Sequence, residues 1–273
     1  MERPLPGQHR LVAFRPGAQA TAPPNLNPQP PAMAKNRIEI LYEDDDLLVV
    51  NKPPLVLTLP DRYAPEKFNL LHYLNDRFGK VFVVHRLDKE TSGVLCFART
   101  PDAHRHLSLQ FEHRRVRKVY HTVVEGVLPE AEGVIDKPIA EQAGGRARMV
   151  ISARGKPSVT AYRVLEQFRH FALVEARIET GRTHQIRVHF QSQGFPLAVD
   201  ALYGRRTAIY AREIKTRNFK PSGREEHRPL MERSALHAFR LELQHPRTGE
   251  EFSFEAPWPK DFKALVQQLR KWR

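Results

Sequence analysis

From residue 37 onward the apolar positions fall into short runs rich in β-branched and aromatic residues, separated by turn residues. This pattern belongs to many strands and few helices. Stretches 38–42 and 47–51 read as strands around an acidic turn at 43–46. Leu70, Leu71, Leu74 and Phe78 recur at helical spacing within 69–78, with Gly79 as the stop. Segments 81–84 and 93–98 are strand-like. Pro101 opens a helix to about residue 114, with Leu107, Leu109 and Phe111 among its apolar positions. Further strands are expected at 119–127, 148–152, 159–165 and 171–178. Segment 183–193 is ambiguous: Ile186, Val188 and Phe190 alternate, yet the flanking Gly181 and Gly194 suit a short helix. A closing hairpin, 236–243 with 251–255 around a turn at 246–249, leads to a last helix begun by Pro259 and running through Leu265 and Leu269. Strand and helix do not alternate regularly, which predicts an α+β fold with a mixed, mainly antiparallel sheet and flanking helices.

Two regions break the pattern. Residues 1–36 hold 8 of the 22 prolines, a single acid, Glu2, and four basic residues, Arg3, Arg10, Arg15 and Lys35. Such a stretch has little to bury and is expected to be a disordered basic arm ahead of one domain at 37–273. It has no apolar core for a secretory signal and no serine for an organellar presequence. Residues 205–233 lack periodicity and carry nine Lys/Arg against four Glu, a net +5 of the total +13. They read as a long basic loop or insertion.

Charge and composition then narrow the function classes. A pI near 10.1 favours polyanionic partners, nucleic acid first. No apolar run nears the ~20 residues of a membrane helix. The single cysteine, Cys96, rules out an internal disulfide and a cysteine-rich zinc site. The expectation is a soluble protein of the cytoplasm. Phosphate-cradling glycine motifs and the hydrolase G-x-S-x-G are absent, so no nucleotide cofactor is implied. Neither His104 with His106 nor His184 with His189 has metal-site spacing. The acids at 43–46 suit a solvated turn better than the magnesium site of a nuclease.

Chemistry concentrates in two polar islands at strand exits. The first, HRLDKETSGVL, places Asp88 between Arg86 and Lys89; the second, TGRTHQIRVH, carries Arg182 and Arg187. An acid in one and arginines in the other suit a cleft that grips an anion and does carboxylate chemistry. Equally, Asp88 can cap a turn with Arg86 or Lys89 as its surface partner.

Together, HRLDKETSGVL, RKVYHTVVEG, GRTHQIRVH and LHAFRLELQHPRTGE, in that order and preceded by the NKP at 51–53, resemble the RluA-type pseudouridine synthases from residue 38 to the C-terminus. Two features depart from that pattern: Pro54-Leu55-Val56-Leu57 stands where a glycine-containing apolar stretch is usual, and the basic segment 205–233 is long. The resemblance implies an isomerase that detaches uracil from its ribose in ribosomal or transfer RNA, turns it and rejoins it through carbon, with no cofactor and no metal. It implies Asp88 as the catalytic carboxylate, Arg187 as its cationic partner and Tyr120 as the aromatic that stacks on the base and helps remove a ring proton. Arg86, Lys118 and Arg182 are implied to hold the RNA in a basic cleft. Arg187 as a phosphate clamp, and Tyr120 as an ordinary half-buried strand residue, remain the alternatives. Structured RNA is the expected partner, the chain is expected to act as a monomer, and a non-catalytic RNA-binding factor on the same fold is the competing function.

Overall fold

The computed structural model describes residues 38–144, 148–215 and 228–272; the 1–36 arm and the middle of the basic stretch, 216–227, lie outside these. The chain opens with β1 (Glu39–Glu43), β2 (Leu47–Lys52), α1 (Leu70–Phe78), β3 (Phe82–Val83), β4 (Ser92–Ala98) and α2 (Pro101–Glu112). It continues through β5 (Arg117–Glu125), β6 (Glu132–Asp136), β7 (Ile139–Glu141), β8 (Met149–Ile151), β9 (Val159–Gln167) and β10 (Phe171–Ile178). Helices α3 (Gln185–Ser192) and α4 (Ala211–Ile214), the hairpin β11 (Leu236–Gln244) and β12 (Glu251–Glu255), and α5 (Lys260–Lys271) complete it.

Ten of the described strands form one sheet, ordered β1-β2-β4-β11-β5-β10-β9-β6, with β12 added to β11 and β3 to β4. Neighbours are antiparallel except at one junction, where His237 and Ala238 of β11 run parallel to Ser92 and Gly93 of β4. That junction requires glycine: Gly93 has φ +117°, and a Cβ there would lie 2.0 Å from the carbonyl oxygen of Ala238. It fixes the exit of the first polar island against the centre of the sheet.

Alternation along the strands divides the core between two faces. On one face Leu48, Val50, Leu95, Val124, Val174 and Ala176 pack with Leu70 and Leu74 of α1 and with Ile186 and Phe190 of α3. On the other, Val123 and Leu173 meet Phe262, Leu265, Val266 and Leu269 of α5, while Leu47, Val49, Val94 and Cys96 meet Ala103 and Leu107 of α2. Helix ends follow their local chemistry. Asn69 caps α1 by accepting from His72 N at 2.9 Å, Gly79 ends it at φ +75°, and Thr100 caps α2 ahead of Pro101. Leu109 is 42% exposed, on the outer side of α2. No helix among the described residues is long and apolar enough to cross a membrane.

The ambiguous segment is a helix, with Gln185 through Phe190 all buried. The basic stretch is only partly a loop. Within its described residues α4 forms, Ile209 bridges to Met231, and Ile209, Ile214 and Met231 join the α5 core. Two of its arginines are correspondingly occupied: Arg206 Nε lies 2.6 Å from Glu125, and Arg233 Nε lies 2.6 Å from Asp261.

Candidate active site

The loop between β3 and β4 is held through its backbone. Thr58 Oγ1 donates to Leu87 O at 2.8 Å and accepts from Leu87 N at 3.3 Å. Fully buried Lys52 donates to the carbonyls of Val56 (2.7 Å), Pro53 (3.1 Å) and Lys89 (3.2 Å). Burial, and then the charge of Arg233, push the Lys52 amine down to about 7, against the pull of Asp88. On the far side, Arg233 Nη1 donates to Glu90 O at 2.9 Å, and Ser234 donates to the Glu90 carboxylate. His85 stacks on Phe111 and accepts from Cys96 N at 3.1 Å; burial, with Lys118 adding to it, lowers its pKa to about 3, so it shapes the loop as a neutral ring. With the backbone pinned, the Asp88 side chain faces a cleft of about 530 Å³ lined also by Leu57, Arg86, His184, Arg187 and Leu202.

The second island supplies what Asp88 faces. Arg187 Nη1 and His184 Nε2 each stand 3.8 Å from Asp88 Oδ2. Arg187 is not primarily the partner of Asp88, however. Its Nε and Nη2 form a fork on Asp200 at 2.7 and 2.8 Å, and Asp200 Oδ1 also accepts from the amides of Leu202 and Tyr203. The Tyr203 ring covers the guanidinium at 5.0 Å. Burial drives the Asp200 carboxyl up, but the Arg187 fork and the two amides outweigh it and hold the group below its ordinary value. The expected pair is therefore a triad in which Asp200 orients the guanidinium and a single nitrogen is left for Asp88.

His184 completes the arrangement in a left-handed backbone conformation, φ +55°, that a non-glycine residue adopts at a cost of about 1 kcal/mol. Tyr203 Oη accepts from Met149 N at 2.8 Å and sits 2.8 Å from His184 Nδ1. With the Tyr203 hydroxyl hydrogen directed to Nδ1, the proton of neutral His184 is assigned to Nε2, the nitrogen facing Asp88. Burial lowers the pKa of His184 despite the nearby carboxylates, in keeping with the neutral ring.

Tyr120 lines a narrower pocket that opens from the same place, together with Arg86, Asp88, Arg182, Arg187 and Ile186. Burial, and then Asp88, raise the pKa of its hydroxyl, which therefore stays protonated at neutral pH. That argues against Tyr120 as a phenolate base and leaves its ring as the feature offered to a base. Lys118 lies two residues away on the same face of β5. Burial, Arg114 and Arg182 depress its amine to about 8. Arg86 is exposed at the mouth. All six residues expected from the sequence thus converge. Asp200, Tyr203, His184, Lys52 and Thr58 were given no role in the site from the sequence, although His184 and Lys52 lie within the motifs GRTHQIRVH and NKP, and Asp200 ends the apolar run Leu197-Ala198-Val199. The acids at 43–46 serve the turn: Asp44 Oδ1 accepts from the amides of Asp46 and Leu47, and Asp46 pairs with Arg247.

Comparison with known proteins gives concordant results. The family model for RNA pseudouridylate synthase matches residues 46–192, which include Asp88, Tyr120 and Arg187. An uncharacterized RNA pseudouridine synthase, YlyB of Bacillus subtilis, is 39% identical over 270 residues, covering 94% of this chain and 82% of that protein. Ribosomal large subunit pseudouridine synthase D of Vibrio vulnificus is 39% identical over 243 residues, covering 86% and 71%. Among solved structures, human RNA pseudouridylate synthase domain containing 4 aligns with a TM-score of 0.64 at 27% identity, covering 85% of this chain and 93% of that one. The human domain containing 1 protein aligns with a TM-score of 0.62 at 30% identity, covering 86% and 95%.

Proposed function

Because the chain belongs to the RNA pseudouridylate synthase family, and is thus an isomerase, we propose that it converts specific uridines of large-subunit ribosomal RNA to pseudouridine with Asp88 as its catalytic carboxylate. Ribosomal RNA is preferred to transfer RNA because the Vibrio vulnificus relative carries the large ribosomal subunit in its name. The reaction breaks the N1–C1′ bond, forms a C5–C1′ bond, removes a proton from C5 and leaves one on N1. Atoms balance without an outside reagent, so no cofactor enters.

The observation that carries the reading is the placement of Asp88: a carboxylate open to a cleft, with Arg187 and His184 both on Oδ2. Oδ1 is thereby left for the substrate, where it meets the electron-poor sugar carbon created as the base departs. Tyr120 offers its ring to the detached base. A uridine inside folded RNA must first swing out, at a cost of a few kcal/mol, and Arg86 at the mouth supports the everted nucleotide while Lys118 and Arg182 hold phosphates of a basic cleft. The enzyme acts as a cytoplasmic monomer.

Asp88→Asn is the decisive test. It should bind large-subunit ribosomal RNA as the wild type does and form no pseudouridine, read as adduct-induced stops of reverse transcription. Undiminished turnover by this variant would remove Asp88 from the chemistry.

A further inference from the structure

A second groove leaves the Asp88 pocket. It shares Arg86, Gly181, Arg182 and Thr183 with the pocket that Tyr120 lines, and extends past Met149 and Glu141 to Arg154 and Lys156. The turn carrying the last two is rigid. Ser152 N donates to Pro138 O at 3.0 Å, and Lys156 and Ile139 exchange backbone hydrogen bonds of 2.8 and 3.0 Å. Gly155 lies so close on β7 that a Cβ would come within 2.5 Å of the Ile139 backbone. Arg154 and Lys156 are thus exposed side chains on a fixed base, which spares the ordering entropy a floppy loop would lose on binding.

Charge pairing distinguishes this groove from several other arginine-bearing surfaces. Arg163 lies 3.3 Å from Glu175, Arg99 2.9 Å from Glu43, and Arg206 2.6 Å from Glu125. Around the groove, Arg86, Arg154, Lys156 and Arg182 form no ion pair among the described residues, and Glu141 is the one acid lining it. Four unneutralised cations along one trough concentrate positive potential where an extended polyanion would lie.

We propose that this groove seats the RNA strand on one flank of the target uridine, with Arg154 and Lys156 each gripping a backbone phosphate. The inference rests on the isomerase reading above and extends it to a strand path that no catalytic residue defines. Each phosphate neutralised on a single strand adds about 0.7 to the slope of log affinity against log salt.

The test uses the full chain and a large-subunit ribosomal RNA transcript. Arg154→Ala/Lys156→Ala is compared with the control Arg163→Ala/Arg177→Ala on the opposite face of the sheet, by filter binding from 50 to 300 mM salt. The groove variant should bind at least tenfold more weakly at 150 mM, and its salt slope should be shallower by about 1.4, two phosphates at 0.7 each. Most of the loss should fall on Kd rather than on the single-turnover rate, and circular dichroism should match the wild type. Unchanged affinity and slope, or a loss no greater than the control's, would overturn the proposal. Binding is also measured in the Asp88→Asn background. A groove effect that persists there supports the strand path even if the role given to Asp88 fails, so the two readings fall separately.

Discussion

If Asp200 rather than Asp88 is the structural partner of Arg187, removal of the two aspartates changes stability very unequally. The Arg187 side chain is 7% exposed and that of Asp200 0%, against 23% for Asp88. Removing one member of a buried, forked ion pair leaves the other charge desolvated and unpaired, at a cost of about 3–5 kcal/mol. For a domain of this size that lowers Tm by roughly 6–20 °C. Asp200→Asn and Arg187→Met should each fall in that range. Arg187→Met/Asp200→Leu, which removes both charges, should recover most of the loss. Asp88→Asn, with its carboxylate 3.8 Å from the guanidinium and partly hydrated, should shift stability by less than about 1 kcal/mol. The pH dependence carries the same sign. The folded-state pKa of Asp200 is depressed, so its contribution is present above the unfolded carboxylate value near 3.9 and is lost as pH falls through the lower folded value. Asp200→Asn should therefore flatten the acid limb of the stability profile. Calorimetry of the five proteins from pH 3 to 8 measures this, and single-turnover pseudouridine formation should be lost in both Arg187 variants. Two results refute the reasoning: Asp200→Asn within 1 kcal/mol of wild type, or a double variant whose loss equals the sum of the single losses.

The other predictions concern the supports of the site. Tyr203→Phe removes the hydroxyl that assigns the His184 tautomer, so nitrogen NMR should show a predominantly Nε2-protonated ring in the wild type and a mixture in the variant, with a slower single-turnover rate; His184→Gln, which can place an amide N–H near Nε2, should keep more activity than His184→Phe. Gly93→Ala puts a methyl 2.0 Å from Ala238 O at φ +117° and should cost more than about 4 kcal/mol, seen as loss of soluble folded protein. Lys118, depressed to about 8 against about 10.4 when unfolded, costs stability below pH 8, and the cost fades between pH 8 and 10.4. Lys118→Met should accordingly be the more stable protein at pH 7, losing that advantage by about pH 10, while wild-type affinity for RNA weakens above pH 8 and the variant's, already lower, stays flat in urea-unfolding and filter-binding series.

Elements with dense β-branched or aromatic runs or clear end signals were legible in the sequence. The segments 171–178 and 251–255 match β10 and β12 to the residue, α1 lies within the expected 69–78, and α2 begins where Pro101 announces it. Strand β6 was not legible because it is an edge strand whose only buried side chain is Ile135, so it carries no alternation to read. Helix α3 was ambiguous for the opposite reason. Its polar residues are buried too, each with its own partner: Gln185 on Val159 O, Arg187 on Asp200, His189 on Thr160 and Lys137 O. A helix buried on both sides loses the polar stripe that marks its period. The basic stretch misled by composition, since net charge is blind to whether an arginine faces solvent or, like Arg233, sits buried against Asp261.

The same blindness explains why the site was found only in part. Sequence islands locate residues that face a substrate, because those cluster at strand exits; they do not reveal what lies behind. Arg187 bonded to Asp88 alone would leave the carboxylate both neutralised and occupied, a poor arrangement for the catalytic role proposed for it. Held by Asp200, the guanidinium stands 3.8 Å from Asp88, too far to claim the carboxylate with a short hydrogen bond. Two aspartates sharing one arginine thus divide the work by burial: the one excluded from water sets the geometry, and the one at the cleft keeps an oxygen free. His184 Nε2 stands 3.8 Å from the same Oδ2 that Arg187 Nη1 approaches at 3.8 Å. Moving the second acid into the open, or the first into the dry interior, would destroy that asymmetry, and with it the reason for a left-handed histidine at the head of α3.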